Sequence, residues 1–116
     1  MTSHTHRSAM DVFKHHAQAM IAGDLDDIVA DYSDDARFIT AAGVLHGKAG
    51  VCTGFTNLFA ELPRPRFDVR TRILDGEVLF LEWSATADGS RADDGVETFL
   101  VRDGEIVLQT VHYTVQ

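Results

Sequence analysis

The stretch Ile21–Ile39, IAGDLDDIVADYSDDARFI, contains the pattern that decides how this chain begins to fold. Gly23 suits the left-handed residue that ends a helix, and Asp24 can cap the next helix by accepting hydrogen bonds from its first amides. Asp26 and Asp27 then lie in the first turn, where the helix dipole favours negative charge. The acidic cluster therefore indicates a helix boundary rather than a metal site, because calcium loops space their oxygen ligands differently.

Helices are predicted on both sides of that boundary. Upstream, Ser8 and Asp11 match a capping box, in which the serine oxygen accepts an amide hydrogen bond and the carboxylate reaches back. The apolar residues that follow recur at helical spacing. After the boundary, residues 33–35 are expected to turn the chain into a strand, ARFITA. The apolar stripe of the second helix is predicted to consist of Leu25, Ile28, Val29 and Tyr32.

A third helix is predicted over residues 51–62, VCTGFTNLFAEL, which two prolines bring to an end. The segment before it, AAGVLHGKAG, is interpreted as a glycine-rich turn region. Gly54 lies inside the predicted helix, where glycine costs about 1 kcal/mol relative to alanine. Its presence indicates close packing at that point or a nearby ligand.

The remainder of the chain is predicted to form four strands, joined largely by hairpins with two Asp-Gly turns. The first of them, RFDVRTRIL, places Phe67, Val69, Thr71 and Ile73 on one face and Asp68, Arg70 and Arg72 on the other. Helix, helix, strand, helix and four strands predict an α+β domain, with a curved antiparallel sheet and helices on one face.

Composition narrows the classes of function. The 116 residues predict one domain, with 1–7 as a disordered N-terminal tail and 8–116 folded. A formal net charge of −8, from 18 acidic and 10 basic residues, argues against nucleic-acid and membrane partners. The single cysteine, Cys52, excludes an intrachain disulfide and a cysteine-based zinc site. Without an apolar signal or membrane-spanning run, the expected location is cytoplasmic.

The order of the predicted elements, together with three sequence segments, resembles the nuclear-transport-factor-2-like superfamily. The segments are AGDLDDIVADYSDDARF (22–38), GVLHGKAGV (43–51) and VRDGEIV (101–107). Within it, the chain is most similar to the SnoaL-like and ketosteroid-isomerase-like group, over roughly Ser8 to Val115. The resemblance implies a cone: a curved antiparallel sheet wrapped around three N-terminal helices, with an apolar pocket at the wide end. It also implies homodimers through the outer sheet face. Members include isomerases, polyketide cyclases, epoxide hydrolases, dehydratases and non-catalytic proteins.

The positions that carry catalysis in the family can be compared one by one. His16 takes the place of a tyrosine that binds the oxyanion in ketosteroid isomerases. Thr40 replaces their general-base aspartate, and Glu97 takes the place of their second, protonated aspartate. Val111 stands where the cyclases and epoxide hydrolases have an aspartate on the last strand. The resemblance therefore implies the fold. It does not imply the named activities, because this chain lacks the aspartates best known for catalysing them.

Strand alternation and the resemblance together predict an apolar, aromatic pocket with a few polar groups, which is typical of a small-molecule site. The strands are expected to contribute Phe38, Thr40, Leu79, Leu81, Trp83, Glu97, Phe99, Val101, Gln109, Val111 and Tyr113. The helices are expected to contribute His16, Met20, Tyr32, Phe55 and Phe59.

The sharpest hypothesis is a catalytic pair of His16 and Glu97. A carboxylate beside an imidazole raises the pKa of the imidazole, and burial alone would raise the pKa of Glu97. The alternative is that His16 is a core or rim histidine and that Glu97 faces solvent, which a one-residue change of register would cause. His112 is expected to face outward and His46 to lie in an exposed loop.

Other polar features are interpreted more simply. His4, His6, His15 and His16 do not have metal-site spacing, so neither a metal nor another cofactor is expected. The arginines Arg64, Arg66, Arg70 and Arg72 are interpreted as a solvated strand face. Three functions stay open: a cofactor-independent isomerase, cyclase or lyase acting on a small hydrophobic carbonyl compound, a non-catalytic ligand-binding protein, and a dimeric association domain with a filled interior.

Overall fold

A computed structural model describes residues 7–116, and within them the chain forms helices α1–α3 and strands β1–β6. In chain order the elements are α1 (Ala9–Ala22), α2 (Leu25–Val29), β1 (Tyr32–Thr40), β2 (Gly43–His46), α3 (Gly47–Glu61), β3 (Arg66–Asp75), β4 (Val78–Thr86), β5 (Arg91–Arg102) and β6 (Glu105–His112).

The predicted helix boundary is confirmed. Ser8 and Asp11 form both hydrogen bonds of the capping box at the start of α1. Gly23 ends that helix with φ 66°, a conformation that glycine adopts without steric cost. Asp24 caps α2 by accepting a hydrogen bond from the Asp27 amide at 3.2 Å. The acidic residues around Asp24 thus serve mainly to cap and begin helix α2.

Tyr32 lies on β1 and not on the second helix, where its spacing had placed it. Helix α2 ends at Val29, and the carbonyl of Asp31 already accepts a hydrogen bond of 2.8 Å from the Ile106 amide. Tyr32 is then paired with Ile106 across β1 and β6. Pairing with a distant strand therefore overrides the helical pattern at this position.

The segment interpreted as a turn region contains a short strand. Residues Gly43–His46 form β2, which pairs antiparallel with β1 through partners such as Phe38 and Leu45. Helix α3 begins at Gly47, four residues before its predicted start at Val51. The sequence did not predict β2 because its four residues show no apolar alternation. This strand is stabilised by pairing with β1.

The described residues form one six-stranded sheet in the order β2-β1-β6-β5-β4-β3. Strands β1 and β6 run parallel, while the other neighbouring pairs run antiparallel as predicted. The sheet is curved and unclosed, and the α+β cone predicted from the sequence is confirmed. The parallel pair of β1 and β6 makes the sheet mixed, whereas the sequence predicted an antiparallel one. The helices cover its concave face, where the buried core lies.

Helix α3 packs on β1 through a notch at Gly54. A Cβ added to Gly54 would lie 2.7 Å from Cε1 of Phe38, well inside contact distance. Close packing against an aromatic ring thus accounts for glycine inside this helix, at a position that also lines a cavity between α3 and the sheet.

The start of the domain is tied to the sheet by a buried carboxylate. Asp31 is 1% exposed and pairs with Arg7 Nη1 at 2.8 Å and with His15 Nδ1 at 2.7 Å. Arg7 also donates to the Gly104 carbonyl, and the hydrogen bond to Asp31 raises the pKa of His15. Arg7 therefore belongs to the folded domain. The rest of the predicted tail, residues 1–6, lies outside the described residues.

Candidate functional site

The side chains on the concave face lie in rows that run across the strands. One row consists of Leu79, Phe99, Gln109 and Phe38, which are cross-strand neighbours from β4 to β5, β6 and β1. The next row contains Leu81, Glu97 and Val111. Glu97 therefore lies on the concave face, as the alternation predicted, and the alternative register that would turn it toward solvent is not adopted.

A cavity of about 450 Å³ lies between α1 and strands β3–β5, and we call it the α1 cavity. Its buried walls include Phe99, 0% exposed, and Trp83, 2% exposed. More exposed side chains such as Ile21 and Val69 mark its opening. Seven of the predicted pocket residues line it: His16, Met20, Leu79, Leu81, Trp83, Glu97 and Phe99.

Other predicted site residues line a second cavity of about 520 Å³, which lies between α3 and strands β1, β2 and β6 and is called the α3 cavity. These are Phe38, Thr40, Val111 and Tyr113. The single pocket expected from the sequence is thus two cavities. Tyr113 donates a hydrogen bond of 2.6 Å to Glu61. Burial, and then this hydrogen bond, raise the pKa of the Tyr113 hydroxyl.

Aromatic contacts occupy the space between the two cavities. The ring of Phe55 lies 5.9 Å from that of His16 and 5.3 Å from that of Phe38, and these two residues line different cavities. Tyr32 adds a further edge contact to Phe55. Tyr32 and Phe55 are buried in this aromatic cluster, and Phe59 packs against the core outside both cavity walls. Side-chain spacing predicts that a residue faces the interior. It does not predict whether the ring lines a cavity or fills the space between two cavities.

Glu97 ends a chain of buried hydrogen bonds. Its Oε1 accepts a bond of 2.8 Å from Gln109 Nε2, and the amide oxygen of Gln109 accepts a bond from the Tyr32 hydroxyl. Burial raises the pKa of Glu97 to about 7, although Gln109 and the nearby Trp83 indole act to lower it. Near neutral pH the side chain is therefore present in both protonation states, which suits proton transfer.

His16 differs from its predicted role in two respects. Within residues 7–116 no hydrogen bond joins it to Glu97, and its buried Nδ1 has no hydrogen-bond partner. Burial lowers the pKa of His16 to about 4, instead of the rise expected from a carboxylate partner. The ring packs edge-on against Phe99 at 5.2 Å. His16 is therefore a neutral hydrogen-bonding group of the cavity wall at pH 7, and not half of an ion pair.

Trp83 forms another part of the wall and depends on a glycine opposite to it. Gly95 is its cross-strand partner, and a Cβ there would lie 2.2 Å from Cδ2 of the indole. The ring also packs edge-on against Phe67 at 5.2 Å. The buried Nε1 has no partner within hydrogen-bond distance in the described chain, although it lies near enough to Glu97 to lower the pKa of that carboxyl group. Both this donor and His16 Nδ1 belong to side chains that line the same cavity.

Two arginines are among the residues of this cavity that were not predicted from the sequence. Arg66 and Arg72 line it, although the alternation of β3 had placed Arg72 on the face opposite Val69. A bulge between Val69 and Thr71 shifts the register, so that Arg72 pairs with Leu81 and shares the cavity face. A bulge depends on the partner strand, and no signal within β3 itself reveals it.

His112 and His46 are both exposed. His46 is the last residue of strand β2 rather than part of a loop, and His112 lines the α3 cavity, although it was expected to face outward. Among residues 7–116 there is no group of three or more histidine, cysteine, aspartate or glutamate side chains arranged to hold a metal ion. No helix in that part of the chain combines the length and the apolar character needed to cross a membrane.

The fold and the site define a cone-shaped α+β domain with a carboxylate in an apolar cavity. The SnoaL-like domain family matches residues 13–109, which is most of the chain. The chain therefore belongs to the SnoaL-like family, and the resemblance inferred from its motifs is confirmed. No curated protein matches the sequence.

Solved structures share the fold over most of the chain. An NTF-2-like protein of unknown function from Burkholderia xenovorans is 26% identical, with a TM-score of 0.74, and the match covers 91% of this chain and 82% of that one. A proposed ketosteroid isomerase from Kribbella flavida is 16% identical, with a TM-score of 0.75 and coverages of 91% and 77%. A proposed polyketide cyclase from Sinorhizobium meliloti is 14% identical, with a TM-score of 0.75 and coverages of 91% and 100%. The last two similarities concern the fold alone.

Proposed function

We propose that the α1 cavity binds a small hydrophobic carbonyl compound and that Glu97 exchanges a proton with it. The reaction class would be a cofactor-independent isomerisation, cyclisation or dehydration. The observation that carries the proposal is the position of Glu97: within the described residues it is the one carboxylate that lines this cavity, and Gln109 holds it there. The similarity to proteins proposed as a ketosteroid isomerase and a polyketide cyclase agrees with this class.

The chemistry follows from the two protonation states of Glu97. As a carboxylate it can accept a proton from the carbon next to a carbonyl, and as an acid it can donate a proton to a carbonyl or leaving oxygen. Gln109 donates to Oε1 and so holds the carboxyl group in position. A carboxyl group with a pKa near the working pH performs both steps without a large thermodynamic cost for either one.

Two further side chains can orient the ligand. The Trp83 indole is a hydrogen-bond donor, and a buried donor without a partner is costly unless a ligand oxygen accepts from it. Neutral His16 can donate or accept, depending on its tautomer. Both residues contact the α1 cavity together with Glu97. These three side chains are the polar groups of the buried wall, and Arg66 and Arg72 line the cavity at its opening.

The two positions at which this chain lacks the catalytic aspartates of its family lie in the other cavity. Thr40 and Val111, which stand where isomerases and cyclases have aspartates, line the α3 cavity. Chemistry in the α1 cavity is therefore proposed to depend on Glu97 rather than on the acids known for the family.

The test is a thermal-shift screen with steroids, polyketide-like aromatics and terpenoids, followed by turnover assays on each compound that binds. Saturation at 100 times the dissociation constant adds about 2.7 kcal/mol of stability, which is a shift of several degrees for a domain of this size. Glu97→Gln should retain binding and lose turnover. The matched control is Glu82→Gln, because Glu82 is exposed and lies on the neighbouring strand β4 outside the cavity.

The outcomes separate the possible functions. Turnover that survives Glu97→Gln would remove Glu97 from the chemistry. Binding without turnover of any bound compound would leave a non-catalytic ligand-binding protein. Failure of the whole panel to bind would favour an association domain, for which the aromatic cluster between the cavities supplies a filled interior.

We also propose a homodimer through the outer sheet face, as the resemblance implied. Ile73 is 57% exposed, and its cross-strand neighbour is Phe80. Val78, which is 41% exposed, adjoins Leu100. Sedimentation velocity over a range of concentrations should show a dimer that the double variant Ile73→Lys and Val78→Lys dissociates. Val44→Lys, on edge strand β2, is the control; a monomeric wild type would exclude the dimer.

A further inference from the structure

The four arginines near the start of β3 have different environments. Arg64 donates from Nε to Asp88 Oδ2 at 2.6 Å, outside the α1 cavity. Arg70 donates to the backbone carbonyl of Asp93 at 2.8 Å and to that of Trp83 at 3.3 Å. These two guanidinium groups are therefore engaged by the protein itself.

Arg66 and Arg72 are different, because both line the α1 cavity. Both are exposed, and in the part of the chain that the structure describes neither guanidinium group forms a hydrogen bond or an ion pair. The molecule has 18 acidic and 10 basic residues, so carboxylates to pair with are abundant. Two unneutralised cations at the opening of an apolar cavity are thus a local positive site on an acidic protein.

The register of the sheet gives the distance between this positive site and Glu97. Arg72 is the cross-strand partner of Leu81, and Leu81 is the partner of Glu97. The Cα atoms of Arg72 and Glu97 are therefore two strand spacings apart, which is roughly 10 Å. The buried end of the cavity carries Glu97 and the open end carries the arginines. A ligand of two or three fused rings has the length to contact both.

The chemistry of the arginines selects the class of ligand. A guanidinium group binds a carboxylate through two parallel hydrogen bonds, with a geometry that a neutral ester cannot reproduce. The apolar wall between the two polar ends favours rings or an aliphatic body. Since the net charge of −8 repels anions at long range, a local cation pair is needed for such a ligand to bind.

We propose that the ligand of the α1 cavity is a hydrophobic carboxylate, whose anionic group is bound by Arg66 and Arg72 at the opening while its inner end reaches Glu97. This inference rests on the proposed function, since it assigns a substrate class to the same cavity. It adds a specificity site that the family resemblance does not supply.

The experiment compares acids with their own methyl esters. The probes are 6-hydroxy-2-naphthoate, 4′-hydroxybiphenyl-4-carboxylate and lithocholate, each measured beside its methyl ester by isothermal titration calorimetry at low and high salt. The variants are Arg72→Gln and Arg66→Gln. Arg37→Gln is the matched control, because Arg37 is an exposed strand arginine with no ion pair among the described residues and does not line the cavity.

The expected result is that at least one acid binds more tightly than its ester. Either cavity variant should weaken binding of the acid about tenfold, as expected for loss of a charge-assisted hydrogen bond. Binding of the ester should be unchanged by these variants. Salt should weaken binding of the acid only, because it screens charges at the exposed opening, and Arg37→Gln should leave both affinities unchanged.

Three other results would overturn the inference in different ways. Equal binding of acid and ester, with no effect of either arginine variant, would reject the carboxylate site and leave the ligand-binding function intact. Failure of every acid to bind, while a neutral compound of the thermal-shift panel binds, would reject the carboxylate site alone, whereas failure of the acids, the esters and the whole panel would reject both proposals.

Discussion

The side-chain amide of Gln109 joins two groups that lie far apart in the sequence: it donates to Glu97 Oε1 at 2.8 Å and accepts from the Tyr32 hydroxyl. Gln109 is 1% exposed, and its bond with the Tyr32 hydroxyl is fully buried, whereas its bond to Glu97 is partly buried. The orientation of the amide is set by the acceptor Glu97 and the donor Tyr32 on its two sides. The cavity carboxylate therefore depends on a residue that does not itself line the α1 cavity.

Replacing Gln109 by leucine should destabilise the protein, and more so at pH 8 than at pH 5. The variant leaves Tyr32 and ionised Glu97 without their buried partner, at a cost of about 2–3 kcal/mol. The hydrogen bond from Gln109 lowers the pKa of Glu97, so its loss makes the ionised form costlier still. Urea denaturation at the two pH values measures the effect. Adding Glu97→Leu to this variant should recover stability at pH 8; if it does not, the hydrogen bond is not the cause.

Glu97→Gln should change how stability varies with pH. The pKa of Glu97 is raised from 4.5 to about 7 on folding, so its contribution is fully present below pH 4.5 and is lost as the pH rises through 7. Wild type should therefore lose roughly 1–3 kcal/mol relative to Glu97→Gln across that window. Chemical denaturation at intervals from pH 4 to pH 8 checks this. Parallel curves for the two proteins would contradict the assignment, and Glu82→Gln should follow wild type.

His16→Leu should produce the opposite trend. Burial lowers the pKa of His16 from 6.5 to about 4, so its contribution is present above pH 6.5 and is lost as the pH falls toward 4. Between pH 7 and pH 5, wild type should lose roughly 1–2 kcal/mol relative to this variant. The same denaturation series provides the measurement, and His46→Leu, at an exposed position, serves as the control. A constant difference between wild type and His16→Leu would show that His16 is not buried as described.

Gly95→Ala should disturb the cavity wall through Trp83. The added methyl group would lie 2.2 Å from Cδ2 of the indole, and the ring is too well packed to move freely. We expect a loss of about 1–3 kcal/mol and a change in tryptophan fluorescence, since Trp83 is the single tryptophan in the sequence. A Trp83→Phe background should reduce the penalty because the smaller ring leaves room at this point. Unchanged fluorescence and stability would contradict the contact.

Much of the candidate site could be predicted because strand alternation is a local property. Glu97, Leu81 and Trp83 lie on the concave face as their spacing indicated, and His16 faces the same cavity from α1. The predicted catalytic pair was not observed, because spacing along the chain says nothing about whether two inward side chains meet. Glu97 instead bonds to Gln109 on the adjacent strand.

The local sequence determined the helix boundary at Gly23 and Asp24, the capping box at Ser8 and the family, since turns, caps and alternation depend on residues only a few positions apart. Tertiary structure alone decided that Tyr32 enters the sheet, that the bulge after Val69 turns Arg72 toward the cavity, and that Phe55 helps to divide the interior in two. Each of these outcomes depends on a partner distant in sequence. Burial was equally decisive for His16 and Glu97: it shifts their pKa values in opposite directions because it disfavours the charged form of each.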